Sequence, residues 1–221
     1  MIVTIDGPAG AGKSTIARAL ADRLAFAFLD TGAMYRAVTL DALRSHASWE
    51  DAGALAELAR RSKIELDETQ VYLNGDDVSD AIRTTEVTTH IHFMADNPAV
   101  RERMVELQRM YADGKDIVTE GRDQGTVVFP DAECKIFLTA SPDERARRRL
   151  EELRQRGESP TLAEVLQQQD QRDLRDSSRG VGRLEKAQDA IEVITDGLTP
   201  DQVLAHLLEF VRARIPDQQD G

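Results

Sequence analysis

Apolar and polar positions along the chain follow two rhythms, and the switches between them mark out its elements. Ile2-Val3-Thr4-Ile5-Asp6 is a short, mostly apolar run that stops at a glycine, the pattern of a buried strand. From Lys13 to Leu24, Ile16, Ala17, Leu20, Ala21 and Leu24 recur at helical spacing. A strand is predicted over Phe26 to Leu29, a helix from about Thr31 to Leu43, and another over roughly 50–61. Residues 63–78 read as two or three short strands, with Asn74-Gly75 as a hairpin turn. Helices follow near 85–95 and 98–111, with Asn97-Pro98 as N-cap and first residue of the second. Ile117 to Thr119, Lys135 to Leu138 and Ile191 to Ile194 read as further strands. Ser141-Pro142-Asp143-Glu144 combines a capping box with proline at the first helical position, and Thr199-Pro200-Asp201-Gln202 repeats that signal. Residues 216–221 read as a frayed tail.

Strands alternating with helices imply an α/β fold: a mostly parallel sheet with helices on both faces, in three layers. The strand-rich stretch at roughly 62–95 breaks the alternation and reads as a small inserted subdomain. The Arg-rich stretch 143–180 reads as a second, mobile insertion.

Charge then narrows the partners. The 221 residues carry a formal net charge of -12, which disfavours both a nucleic acid polymer and an anionic membrane surface as partners. No window is apolar enough to span a bilayer and no basic leader precedes an apolar run, so a cytoplasmic protein is expected. With no exposed apolar stripe, a monomer is expected. The one cysteine, Cys134, lies in an apolar stretch and reads as a small buried hydrophobe. The basic residues are 23 Arg against 5 Lys. At most positions that reflects codon choice, although arginine is also the side chain suited to gripping phosphate.

Gly7-Pro8-Ala9-Gly10-Ala11-Gly12-Lys13-Ser14 has the spacing G-x-x-x-x-G-K-[ST] of a P-loop, with Thr15 following. Glycines let the backbone turn its N–H groups onto phosphate oxygens, and the helix that follows presents its positive end to the same anion. Lys13 reaches the β- and γ-phosphates, and the Ser14 hydroxyl suits Mg²⁺. An apolar strand enters the loop and an amphipathic helix leaves it, so ATP or GTP binding is the strongest expectation. Asn occurs only at positions 74 and 97, neither followed by Lys, so the N-K-x-D motif of a GTPase is absent. The length suits a small-molecule kinase with one insertion for the acceptor and one acting as a lid.

Further motifs sharpen this. They are Leu29-Asp30-Thr31-Gly32-Ala33-Met34-Tyr35-Arg36, Ile82-Arg83-Thr84, Pro98-Ala99-Val100-Arg101-Glu102, Glu120-Gly121-Arg122-Asp123-Gln124-Gly125-Thr126 and Arg172-Asp173-Leu174-Arg175-Asp176-Ser177-Ser178-Arg179. With the P-loop, they resemble the bacterial cytidylate kinases from Ile2 to about Phe210. The resemblance implies transfer of the ATP γ-phosphoryl group to CMP or dCMP. It implies a P-loop core of 1–30, 96–142 and 187–215. It also implies a nucleoside monophosphate-binding region of 31–95, with a small antiparallel insertion at about 62–80, and a lid of 143–186. It implies Arg36, Arg122 and Arg179 around the acceptor phosphate or the transferring group, and Arg172 and Arg175 as lid arginines over the ATP phosphates. Asp176 corresponds to a ribose-binding carboxylate, and Asp123 and Arg101 to the groups that read cytosine. His92 departs from the family, which has Ser there.

Other residues keep two readings. Arg172, Arg175 and Arg179 fall at i, i+3 and i+7, so one helix face presents all three, either to phosphates or in surface ion pairs. Tyr35 packs under the acceptor nucleotide or fills the core. Thr31 caps its helix and also donates to the acceptor phosphate. Glu120 orients Mg²⁺-bound water or pairs with an arginine. His90 and His92 read as partly buried side chains rather than metal ligands. Arg145, Arg147, Arg148, Arg149, Arg154 and Arg156 read mostly as solvated surface, with one or two near Arg148 stacking on adenine. The rivals are a P-loop kinase for UMP, AMP or a shikimate-like acceptor, and a regulatory ATP-binding protein without an acceptor.

Overall fold

A computed structural model describes residues 1–67, 70–155 and 157–215. The tail expected at 216–221 and Arg156 lie outside the described residues. The chain opens with β1 (Ile2–Asp6), α1 (Lys13–Leu24) and β2 (Ala27–Asp30). Then come α2 (Thr31–Arg44), α3 (Ala52–Arg61), β3 (Ile64–Leu66), β4 (Val71–Leu73), β5 (Asp76–Asp77), α4 (Thr85–Ala95) and α5 (Pro98–Ala112). It closes with β6 (Ile117–Gly121), β7 (Cys134–Thr139), α6 (Pro142–Gln155), α7 (Leu162–Ser178), β8 (Ile191–Ile194) and α8 (Pro200–Arg212). Two compact units result, Met1–Phe28 with Lys115–Gly221, and Leu29–Gly114. The α5 segment, grouped with the core in the sequence reading, clusters with the second unit.

In the first unit the five-stranded sheet runs β2-β6-β1-β7-β8. β1 lies parallel to β6 and β7, and β8 lies parallel to β7. Val3, Ile5, Val118, Ile136 and Leu138 from the strands pack with Ile16, Leu20, Leu204, Leu207 and Val211 from α1 and α8. Cys134 is buried in this core as a free thiol, and burial pushes it up to about 11. Helix α1 closes through a left-handed Ala25, while the Phe26 N–H donates back to the Ala21 carbonyl at 3.0 Å. Phe26 therefore completes the helix end, and β2 starts one residue later than the pattern predicts.

The Arg-rich insertion is two helices, α6 and α7, held by Ala146, Leu150, Leu153 and Val165. The α7 cap is a complete Thr161/Glu164 capping box, and α8 has another at Thr199/Gln202. At α6, Ser141 Oγ accepts from the Glu144 N–H at 3.3 Å, as expected. Glu144 instead turns its carboxylate to Arg148, and the Ser141 N–H donates to Asp196, so the predicted box is half formed.

In the second unit, β3-β4-β5 form an antiparallel sheet whose apolar face packs on α2 through Ala33, Ala37, Leu40, Val71, Leu73 and Val78. Asn74 and Gly75 have φ of 53° and 92°, the left-handed pair that a tight hairpin needs. The α2 cap is Asp30, whose carboxylate accepts from the Ala33 N–H at 2.9 Å. Thr31, expected as the cap, is the first helical residue. An aspartate one position earlier already meets the free N–H groups. Asn97 caps α5 as predicted, accepting from Ala99 and Val100. Among the described residues, no helix is long and apolar enough to cross a membrane.

The junction of β1 with the loop after it constrains the whole edge of the sheet. Gly7 has φ of 149°, and a Cβ there would lie 1.9 Å from the Leu138 carbonyl oxygen in β7. The strand can deliver the loop at that height only if residue 7 has no side chain. Gly7→Ala is expected to cost at least ~3 kcal/mol in urea denaturation, from backbone strain and forced displacement of β7. Wild-type stability in that variant would show that the loop tolerates another path.

Candidate active site

The loop after β1 forms a cradle at the carboxyl edge of the parallel sheet, the edge where open α/β sheets bind ligands. Gly7, Pro8 and Ala11 are buried, Ala9 and Gly12 are half-buried, and Gly10, Ser14 and Thr15 are exposed. Gly12 takes a left-handed φ of 88° at the N-cap of α1, aiming the first N–H groups of the helix into the loop. Lys13 is buried and folds over the loop, donating to the Pro8 carbonyl at 2.9 Å. The Ser14 hydroxyl donates to Glu120 Oε1 at 2.7 Å. Glu120 lies on β6, the strand beside β1, so the sheet register brings it to the loop.

Charges crowd this edge. Burial pushes the Lys13 ammonium down to about 7; Arg122 and Arg172 add to the shift, while Glu120 and Asp6 oppose it. Burial pushes the Asp6 carboxyl up to about 7, against hydrogen bonds from the Gly125 and Gln124 N–H groups at 2.7 and 2.9 Å. Those two bonds tie the end of β1 to the π-helical turn Gln124–Val128, which holds the chain just after Asp123. A second tie joins Thr119 Oγ1 to Gln124 Oε1 at 2.9 Å. Asp123 is buried at the head of that turn. Neither the turn nor the Asp6 anchor was foreseen, because a lone aspartate at a strand end carries no sequence signal of its partner.

The buried Asp176 carboxylate joins two predicted arginines. Arg122 Nε donates to Asp176 Oδ2 at 2.8 Å, and Arg179 Nη2 lies 2.8 Å from Asp176 Oδ1. Burial works to raise the Asp176 pKa, but the Arg122 and Arg179 charges outweigh it and hold the carboxyl below its usual range. Burial likewise opposes the Arg122 charge, and Asp176 outweighs it. Arg172 and Arg175 are exposed on α7, with Arg175 Nε donating to the Gln171 carbonyl at 3.2 Å. The predicted three-arginine helical face is corrected at its end. Helix α7 stops at Ser178, and Arg179 takes an extended conformation with ψ of 140°.

Arg145 corrects the solvated-surface reading. It is 5% exposed, and it donates to the Ala140 carbonyl, to the Ala9 carbonyl of the P-loop at 3.1 Å, and to Asp173 of α7 at 2.6 Å. It ties α6 and α7 to the P-loop. The sequence signal was the arginine's place one turn into α6, against an aspartate in R-D-x-x-D, but a run of neighbouring arginines masked it. Arg148 is held by Glu144 and by the Thr195 hydroxyl and carbonyl at 2.9, 2.9 and 2.8 Å, bonds made along the edges of its guanidinium. Arg147 is exposed and paired with Glu144, and Arg149 with Glu152.

The remaining candidates lie in the second unit. Thr31 is buried at the start of α2. Tyr35 is half-buried, with the Arg101 guanidinium 5.8 Å from its ring centre. Arg101 is buried on α5 and donates to the Ala95 carbonyl at 3.3 Å. Arg36 donates to the Ile82 carbonyl and Thr88 Oγ1, which fixes α2 to the Ile82-Arg83-Thr84 motif and α4. His90 and His92 bond to the Glu86 and Thr89 carbonyls of their own helix. His90 and Phe93 stack on Trp49, and His92 leans on Phe93. Among the described residues, no group of three His, Cys, Asp or Glu is arranged to hold a metal.

Magnesium is the ion implied for a P-loop. The Ser14 hydroxyl and Glu120 carboxylate stand together beside the cradle, and this all-oxygen pair suits a hard cation that retains water and phosphate ligands.

A protein-family model described as cytidylate kinase matches residues 3–213. The cytidylate kinase of Rhodopirellula baltica is 55% identical over 212 residues, covering 96% of this chain and 93% of that one. That of Caldanaerobacter subterraneus subsp. tengcongensis is 48% identical over 210 residues, covering 95% and 94%. Among solved structures, shikimate kinase from Bacteroides thetaiotaomicron matches with a TM-score of 0.51 at 15% identity, over 96% of this chain and 98% of that one. Identity that low shows a shared P-loop kinase fold alone.

The Asp176 ion pairs set an acid dependence. Because its folded pKa is depressed, their stabilisation is present above the unfolded value near 3.8 and is lost as pH falls through the folded pKa. Asp176→Asn should cost about 1–3 kcal/mol at pH 7 and show a shallower loss of stability than wild type below about pH 4. Urea titrations from pH 7 to 3 check this; parallel curves for the two proteins would contradict it.

Proposed function

Because the chain belongs to the cytidylate kinase family, we propose that it transfers the γ-phosphoryl group of ATP to CMP and dCMP, giving ADP with CDP or dCDP. Beside the family match, one observation carries the reading: the buried Lys13 folds over the P-loop, Arg145 bonds to the same loop, and Arg122 follows the strand beside it, so cations gather at one edge of the sheet. An acceptor phosphate is largely ionised near neutral pH, so its oxygen needs no general base. That oxygen bonds to the γ-phosphorus as the bond to the β–γ bridging oxygen breaks and its electron pair leaves with ADP. The barrier lies in bringing two anions together, and oriented cations in a dry site lower it.

The residues divide the work by chemistry. The main-chain N–H groups between Ala9 and Thr15 and the Lys13 ammonium hold the donor's phosphates, with Gly7 and Pro8 shaping the loop. Ser14 and Glu120 would hold magnesium, which neutralises phosphate charge when bound. Arg36, Arg122 and Arg179 take the acceptor phosphate and the transferring group, and Arg172 and Arg175 approach the donor from the lid. Arg145 orients the loop by its bond to Ala9. A carboxylate at Asp123 accepts from the exocyclic amine of cytosine, and Arg101 donates to the ring acceptors. Tyr35 carries Arg101, and Thr31 offers a hydroxyl at a helix start. The acidic surface and small substrates fit a cytoplasmic monomer.

A panel of acceptors with ATP or GTP as donor, read as coupled ADP or GDP release, tests the assignment. CMP and dCMP should be used best, UMP, AMP and shikimate poorly, and hydrolysis without acceptor should be negligible. Asp123→Ala should lower the CMP-over-UMP ratio of kcat/KM by about 10–100-fold, because uracil turns a carbonyl oxygen toward the carboxylate that the variant lacks. Equal use of CMP and UMP by the wild type would remove the base-reading scheme. Acceptor-independent hydrolysis unaffected by monophosphates would favour a regulatory ATP-binding protein.

A further inference from the structure

Asp176 sits in an unusual place for a carboxylate. The site is proposed to collect anions, yet this side chain, 5% exposed, lies against two of its arginines. Each carboxylate oxygen takes one guanidinium at 2.8 Å, from Arg122 on one side and Arg179 on the other. The side chains of Arg122 and Arg179 are only 17% and 12% exposed, so the contacts are largely withdrawn from water. The fold fixes the carboxylate in place: the Asp176 carbonyl accepts from the Leu184 N–H at 2.7 Å, anchoring the last turn of α7 to the loop beyond it. Arg179, three positions on and just past the end of α7, pairs with the carboxylate. Two acceptor oxygens joined to one centre and bridged by two guanidiniums reproduce the contacts that a phosphate would make.

We propose that Asp176 holds the place of the acceptor phosphate between Arg122 and Arg179 until a nucleotide takes it, and thereby selects nucleoside monophosphates over free phosphate. The inference deepens the reading of Arg122 and Arg179 as acceptor-phosphate ligands and rests on it. While Asp176 is in place, the three groups carry one net positive charge, a weak lure for a dianion. Without it they carry two, the match for a phosphate monoester. Inorganic phosphate that displaces the carboxylate leaves it buried, unpaired and beside a new dianion, which is unfavourable. A nucleotide brings sugar hydroxyls, and a hydroxyl is the donor that a displaced carboxylate can accept from. The contact also keeps the two guanidiniums together, so the acceptor meets them already oriented.

The test titrates inorganic phosphate into the full chain, with the P-loop filled by magnesium and a non-transferable ATP analogue, and reads binding by calorimetry. Wild type is compared with Asp176→Ala and Asp176→Asn. Phosphate should bind the alanine variant at least ~10-fold tighter than wild type, with the asparagine variant between, while CMP binds both variants more weakly. A role in folding alone would produce no gain in phosphate affinity. Phosphate affinity no higher in either variant than in wild type would overturn the proposal. So would wild-type protein that binds phosphate as tightly as CMP, a result that needs no variant to fold. Failure of CMP as an acceptor would appear in the turnover panel, whereas the phosphate titration requires no transfer.

Discussion

Holding positive charge out of water before any phosphate arrives is the constraint on which this structure depends. Lys13 is buried in its loop, and Arg122, Arg145 and Arg179 are largely withdrawn from solvent. Such charges repel one another and lose hydration, so each needs a partner built into the fold. Asp176 meets Arg122 and Arg179, Asp173 meets Arg145, and the Pro8 carbonyl meets Lys13. Asp6 and Glu120 add negative charge near Lys13. Burial still pushes the Lys13 pKa down, and the negative charge of a bound polyphosphate acts in the opposite direction.

The sheet makes this arrangement possible. Parallel pairing of β1 with β6 and β7 puts the P-loop, Glu120 and the segment from Arg122 to Gln124 on one edge. Gly7 lets the loop pass against the Leu138 carbonyl, and Asp6 binds the turn that follows Asp123. Arg145 then joins the same loop to α7 through Asp173. Within the first unit, the P-loop, the Arg122 segment and α7 are therefore tied through a few side-chain bonds.

Much of this was legible in the residues. Helix α1, the Asn74-Gly75 hairpin, the Asn97-Pro98 start and the Thr199 capping box follow from local periodicity and turn chemistry, which act over a few positions. The P-loop was legible because its geometry is local too. What escaped was mostly non-local, with two exceptions at helix ends. Arg145 looked like its solvated neighbours because its partners Ala9 and Asp173 are 136 and 28 positions away. Asp6 was read only as a strand end, since Gln124 and Gly125 lie 118 and 119 positions on. Arg179 followed the helical spacing but not the helix, because α7 ends one residue before it. Thr31 lost the cap to Asp30, where two capping residues stood side by side and only the folded chain could choose between them.

The central claim is that a buried ammonium, costly to the fold, is kept because it grips the donor's terminal phosphates. Phosphoryl transfer to CMP by Lys13→Met, with folding stability read on the same sample at pH 7, tests it most directly. The account predicts turnover lower by about 10²–10⁴-fold. It predicts stability equal to or above wild type, since a neutral side chain of similar length removes a buried charge. Turnover close to wild type, or a variant that loses activity only because it unfolds, would contradict it.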